Sequence, residues 1–308
     1  MKIGSYELPT DLMLAPMSGV SDLPFRLIAR RHGAKFCFFE MIDCNGLIHN
    51  AKRNLDILAT TEEDQPTAAQ LVGADPDDML KAAKVILSNV KIPFLDINAA
   101  CPVKKVLKKK AGSYLLKDVK RLSAIIKKLA AGLPIPVTVK LRTGFLKADL
   151  KEIASIAKQC EKSGAAAIFI HGRTQRQGYS GEIDYKSIKA VKEAVTIPVF
   201  GSGNVFSTAG IKKMFNETGC DGVMVARGSF GNPWIFQGVD QVDLATRQQV
   251  LKAHLALVNE YRQVSKIGFL RKVALWYLKS FPDASKVRGQ VNGIQSYEEL
   301  LALVDCLI

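Results

Sequence analysis

The chain has 308 residues, 48% of them hydrophobic, with 43 Lys plus Arg against 29 Asp plus Glu, a formal net charge of +14. That length and apolar content suffice to bury one large core and a small second one, which excludes a disordered chain. No run of about eighteen apolar residues is present to span a bilayer, and the six dispersed cysteines offer neither close metal-binding pairs nor a disulfide framework.

Taken in chain order, short β-like runs alternate with amphipathic helical ones. The predicted strands are residues 13–17, 36–41, 67–72, 94–98, 136–141, 166–171, 198–201 and 222–226, each bounded by Gly, Pro or charged turns. Eight strands with helices between them imply a parallel sheet. Their even spacing favours closure into a (β/α)8 TIM barrel over an open doubly wound sheet. After residue 239 the pattern is helical alone, in LATRQQVLKAHLALVNEYRQV, in FLRKVALWYLKSF with Pro282 breaking it, and in SYEELLALVDCL. The expected division is a barrel over 1–240 and a small all-helical domain over 241–308, joined near 237–242.

Polar side chains recur at the carboxyl ends of the predicted strands: Ser18, Glu40, Gln70, Asn98, Lys140, His171, Ser202, Asn204 and Arg227. In a barrel those ends share one face, where active sites lie. Cys101 follows the strand FLDINAACP, and the next stretch, KKVLKKK, is crowded with lysines. Residues 97–148 hold thirteen Lys plus Arg and one acid, Asp118, so this window carries +12 of the +14. A lone Cys is more often a small core residue, and a charge run is more often a solvated helix face. Together, a thiol beside focused positive charge points to chemistry on a polyanion.

Two later loops suit a phosphate. GSGNVFSTAG follows the seventh strand and ARGSFGNPW the eighth, where barrels bind phosphate with glycine-freed amides and a helix start. Lys140 ends the apolar run PVTVK and requires an anionic partner; a Schiff-base lysine and a lysine serving an electron-rich cofactor ring both explain it. With His171, Gln70 and both phosphate-type loops converging, a flavin mononucleotide site is the economical reading. No metal ligand set is visible.

These residues resemble the tRNA-dihydrouridine synthases, most closely the bacterial-type branch. The matching segments are LAPMSGVSDLPFR, AQLVG, DINAACPVKKV, VTVKLRTG, IHGRTQRQGYSG, GSGNV and ARGSFGNPWIF, in family order through the whole barrel, with WYLK in the helical region. The resemblance implies an FMN enzyme that reduces the C5=C6 bond of a uridine in tRNA, with NADPH recharging the flavin. It further implies that Ala15, Pro16 and Met17 line the flavin, and that Gln70, Lys140 and His171 hold its ring. Gly203, Asn204, Arg227 and Gly228 would serve its phosphate end, with Gly201 and Ala226 also binding the cofactor. Asn98 would position the uracil and Cys101 would be the general acid. The family commonly has Gly before the cysteine, where this chain has Ala100.

A thiol is mostly protonated at neutral pH and acidic enough to protonate an enolate carbon, which suits Cys101 to that work. The lysines are therefore expected to face RNA and not the sulfur, since a depressed thiol pKa would spoil the acid. A uracil inside folded RNA must be extruded to be reached. One wall of the RNA groove is expected from Lys104, Lys105, Lys108, Lys109 and Lys110 with a helical stripe of Lys117, Lys120, Arg121, Lys127 and Lys128. Arg271, Lys272, Lys279 and Arg288 are expected opposite, and Arg176 and Tyr179 near the flipped base. A cytoplasmic monomer is expected, without membrane or metal partners. The rival readings are a flavin reductase of a small pyrimidine or enone, and a non-catalytic RNA-binding barrel.

Overall fold

The computed structural model describes residues 1–49, 55–279, 281 and 283–307; the expected helix breaker Pro282 lies outside the described residues. A short antiparallel pair, β1 (Lys2–Ile3) and β2 (Tyr6–Glu7), precedes the main sheet. Among the described residues the main sheet has eight strands: β3 (Leu12–Leu14), β4 (Cys37–Asp43), β5 (Thr67–Val72), β6 (Leu95–Asn98), β7 (Val137–Arg142), β8 (Ile168–His171), β9 (Val199–Ser202) and β10 (Gly222–Val225). All neighbours pair in parallel, in the order β3-β10-β9-β8-β7-β6-β5-β4. The Leu14 amide donates to the Phe36 carbonyl at 3.0 Å and closes the ring, as the strand spacing predicts.

The helices around the barrel start where the sequence supplies a cap. Asp75, Asp118, Asp149, Asp184 and Ser207 each accept a hydrogen bond from a first-turn amide. Each cap satisfies a donor that a helix start would otherwise leave unpaired, worth about 1 kcal/mol.

Strand alternation then builds the interior in layers. Met13, Phe36, Phe38, Ala68, Phe94, Phe169, Phe200 and Met224 point inward and form an aromatic floor, with Phe169 and Phe200 stacked at 4.8 Å. Two residues further along the same strands the inward positions become Ala15, Gln70, Asp96, Lys140, His171, Ser202 and Ala226. The period of two thus lifts a polar layer onto an apolar floor.

The helices Leu244–Tyr261, Lys266–Leu278, Ala284–Val291 and Tyr297–Asp305 follow the barrel. Their apolar faces form a cluster that includes Leu23, Leu27, Ile28 and Trp234 of the barrel segment. The helical region therefore shares its core with the first barrel helix, Leu23–Arg31. Among the described residues no helix is long and apolar enough to cross a membrane, and no group of three or more His, Cys, Asp or Glu is placed to hold a metal.

Candidate active site

A cavity of about 950 Å³ opens at the carboxyl ends of the barrel strands. Ala15, Pro16 and Met17 after β3, Gln70 on β5, Asn98 and Cys101 after β6, Lys140 on β7, His171 on β8, Gly203 and Asn204 after β9, and Ala226, Arg227 and Gly228 after β10 all line it. Lys105, Lys109 and Tyr179 reach its rim.

Cys101 sits on a tightly held turn. The Asn98 Oδ1 accepts from the amides of Ala100 and Cys101 at 3.0 and 2.8 Å, while Ser113 donates to the Cys101 carbonyl through its amide and its Oγ. Gly112, at φ +63°, lies so close that a Cβ there would stand 2.8 Å from that carbonyl. Ala100 is buried, donates to Asn98 and has no positive φ, so the turn accommodates its methyl group in an ordinary backbone conformation. The Arg142 guanidinium, buried beneath, donates to the carbonyls of Ala100 (2.6 Å), Thr174 (2.9 Å) and Gly178 (2.8 Å) and so ties the Cys101 turn to the loop after β8. Burial pushes the thiol up from its ordinary pKa, against the pull of the Val103 amide and Arg142, so it stays protonated at neutral pH. Among the described residues no lysine contributes a pull on the sulfur.

Under the cavity floor lies Asp96, fully buried, accepting from Thr138 Oγ1 at 2.6 Å and Gln70 Nε2 at 2.7 Å. Gln70 Oε1 in turn accepts from Asn98 Nδ2 at 2.7 Å. This fixes which way the Gln70 and Asn98 amides point and connects a buried carboxylate to the turn carrying Cys101. Asn98 is engaged at both amide ends and holds this turn. Burial lowers the Lys140 pKa while the nearby Asp96 raises it, and its Nζ donates to Ser202 Oγ at 3.4 Å.

His171 is surrounded by cations. Burial, then the fields of Lys140, Arg142, Arg173 and Arg227, hold its pKa well below the ordinary value, so the imidazole is neutral. Arg173 Nη1 approaches His171 Nε2 at 3.4 Å, which assigns Nε2 as the acceptor and Nδ1 as the protonated nitrogen. Arg173 also donates to Asn204 Oδ1 at 2.8 Å and to the Gly181 carbonyl.

The surplus of cations asks for an anionic occupant, and the loops after β9 and β10 leave a cradle for one. Gly203 has φ +128°, and a Cβ there would meet Ile183 at 2.4 Å and His171 at 3.0 Å. At Gly228 a Cβ would stand 1.9 Å from the Val205 carbonyl, so the two loops touch only because position 228 carries no side chain. Asn204 adopts φ +51° between them. Glycine-freed backbone with Lys140 and Arg227 on the cavity wall, over an apolar floor, forms a donor set that fits a phosphate-bearing, electron-rich ring cofactor.

Several expected residues lie elsewhere. Gly201 faces outward, where a Cβ would stand 2.7 Å from Met214 Sδ; strand alternation sends its neighbours Phe200 and Ser202 inward and makes it a packing glycine. Arg176, Lys104 and Lys108 are exposed outside the cavity, and Lys109 pairs with Asp43 at 2.7 Å across the rim. On the helical region Arg288 and Lys279 are exposed, but Arg271 donates to the Ile294 carbonyl, and Lys272 donates to the Gly19 carbonyl and lies 3.5 Å from the Phe269 ring centroid. Both side chains are thereby turned into the fold instead of lining an open wall. Sequence pattern alone passes over Asp96, Arg142 and Arg173. A carboxylate inside an apolar strand, and two arginines inside a strand-to-loop segment, are the signals that single them out.

A family model described as dihydrouridine synthase matches residues 13–308. The chain is 36% identical to the tRNA-dihydrouridine synthase B of Pseudomonas aeruginosa, over 99% of this chain and 94% of the relative. It is 37% identical to that of Pasteurella multocida, over 98% and 94%. Among solved structures, a mutant morphinone reductase in complex with tetrahydroNAD covers 80% of this chain and 92% of its own, with TM-score 0.58 and 13% identity. An old yellow enzyme homologue from Zymomonas mobilis covers 76% and 89%, with TM-score 0.56 and 13% identity. Those two likenesses are of fold.

Proposed function

This chain belongs to the dihydrouridine synthase family, and on that premise we propose that it reduces the C5=C6 bond of a uridine in tRNA, holding FMN in the barrel mouth and drawing electrons from NADPH. The observation that carries the reading is a half-buried, protonated thiol facing the same cavity as a cationic, glycine-built phosphate cradle.

The residues divide the work by position. Gly203, Asn204, Arg227 and Gly228 would hold the phosphate, with Arg173 bracing Asn204 from behind, and Ala15 to Met17 with Gln70, Lys140 and His171 would hold the ring. When bound, the flavin supplies the hydride that C6 of the pyrimidine accepts. Cys101 supplies the proton: its S–H bond breaks as the C5–H bond forms, and the developing charge on the base is quenched. Asn98, Ser113 and Arg142 fix where that sulfur stands. The neutral His171 donates through Nδ1 without adding charge, and Lys140 stabilises negative charge on a reduced ring. We assign residues 1–240 as the catalytic barrel and 241–308 as the part that guides RNA.

The test is direct. Purified protein should be yellow, release FMN on denaturation, bleach with NADPH and form dihydrouridine in tRNA but not from free uridine. Cys101→Ala should keep its flavin and lose at least about 100-fold in dihydrouridine formation. Undiminished turnover by that variant, or reduction of free uridine as fast as tRNA, would overturn the proposal.

A further inference from the structure

Two large aromatic side chains stand open to solvent at the cavity rim, where burial would ordinarily take them. Tyr179, in the loop after β8, is 57% exposed, and Phe206, in the loop after β9, is 49% exposed. Both line the cavity. The Arg227 guanidinium lies 5.6 Å from the Tyr179 ring centroid and 5.7 Å from that of Phe206, holding the two rings apart as a cationic spacer. Its Nη2 donates to the Tyr179 carbonyl at 3.3 Å, and Arg142 stands 5.6 Å from the Tyr179 ring.

We propose that Phe206 and Tyr179 form a stacking platform for the RNA bases that neighbour the extruded uridine. This deepens the tRNA reading and rests on it. An extruded nucleotide leaves its neighbours unstacked, and an aromatic face beside a cation recovers that stacking for any base, because every base presents a π-face and a nearby phosphate. The exposure of both rings fits a ligand that continues past the cavity. A small molecule enclosed by the cavity would leave those ring faces in water. Arg227, close to both rings, adds positive charge beside the platform.

The experiment compares the holoenzyme with Phe206→Ala and Phe206→Trp. Dissociation constants for an unmodified tRNA transcript, KM and kcat for dihydrouridine formation, KM for NADPH and flavin content are all measured. Phe206→Ala should weaken tRNA binding about ten-fold, in the range of one base stack, and raise KM for tRNA by a similar factor. Phe206→Trp should restore both. The exposed position leaves folding intact, which thermal melting checks. Unchanged tRNA affinity in Phe206→Ala overturns the platform, as does a defect confined to KM for NADPH or to flavin retention. Wild-type enzyme that neither binds nor modifies tRNA overturns the underlying reading as well, and is told apart because the variants then play no part.

Discussion

At the scale of single residues, the proposed proton donor is governed by burial. The Cys101 thiol is raised above its ordinary pKa chiefly by desolvation. A raised pKa keeps the acid form present through neutrality, so turnover should hold as pH rises and fall only when pH passes that elevated value. A kcat profile measured from pH 6 to 10 checks this; a loss of rate on approaching neutrality from the acid side would contradict it. Asp96 supports the same sulfur at one remove, through Gln70 and Asn98. Asp96→Asn removes the anion facing Lys140 and gives Gln70 a competing amide, so it should cost about 1–3 kcal/mol of stability and at least ten-fold in kcat. The alkylation rate of Cys101 should change with it, which a purely global destabilisation would not produce. That Cys101, Lys140 and His171 would meet at one mouth was legible in the sequence because each lies at or just past the end of an apolar strand, and their company outweighed the bland reading each has alone. Asp96 and Arg142 were not, since their meaning depends on partners 42 positions away, Thr138 in one case and the Ala100 carbonyl in the other.

At the scale of elements, short β-like runs bounded by Gly, Pro or charged turns marked the barrel strands, and the capping aspartates place the helix starts. What periodicity does not carry is loop-to-loop bracing. Arg142 joins the turn after β6 to the loop after β8 through three carbonyls, and Arg142→Gln forfeits that fork. The expected result is faster alkylation of Cys101 and a lower kcat with smaller change in flavin content, read from thiol-labelling kinetics and absorbance. Gly201 shows the opposite failure, because a glycine in a strand end satisfies a phosphate-loop pattern and a helix-packing role alike until its facing is known. The seam with the helical region is equally invisible to periodicity. Phe230, which lines the cavity, stacks on Trp276 at 4.7 Å, while Arg262 pairs with Asp22 at 2.8 Å and Lys272 reaches Gly19. Lys272, expected in a groove wall, is thus one rivet of that seam.

At the scale of the whole molecule, net charge is unevenly spread, and the fold separates lysines that the sequence grouped together. The helix Val119–Gly132 starts at the mouth end of the barrel and runs away from it, so Lys127 and Lys128 lie about 12 Å further down than Val119. Lys128 is also paired with Asp77 at 2.5 Å. Charge reversal at Lys104, Lys105 and Lys108 should weaken tRNA binding and lower the salt slope by roughly 0.7–0.9 for each phosphate no longer neutralised. Reversal at Lys127 and Lys128 should do so much less; equal effects from both groups in salt-dependent binding assays would refute this arrangement. The layered interior has one more consequence. Phe36, Phe38, Phe94, Phe169 and Phe200, none of them exposed, plug the barrel like a stopper beneath the polar layer. In the proposed reaction the spent thiolate would have to be reloaded from the wet side, through the opening that the nucleic acid would occupy. Departure of the modified strand, or a water file alongside it, would then be the route by which a proton returns to the acid.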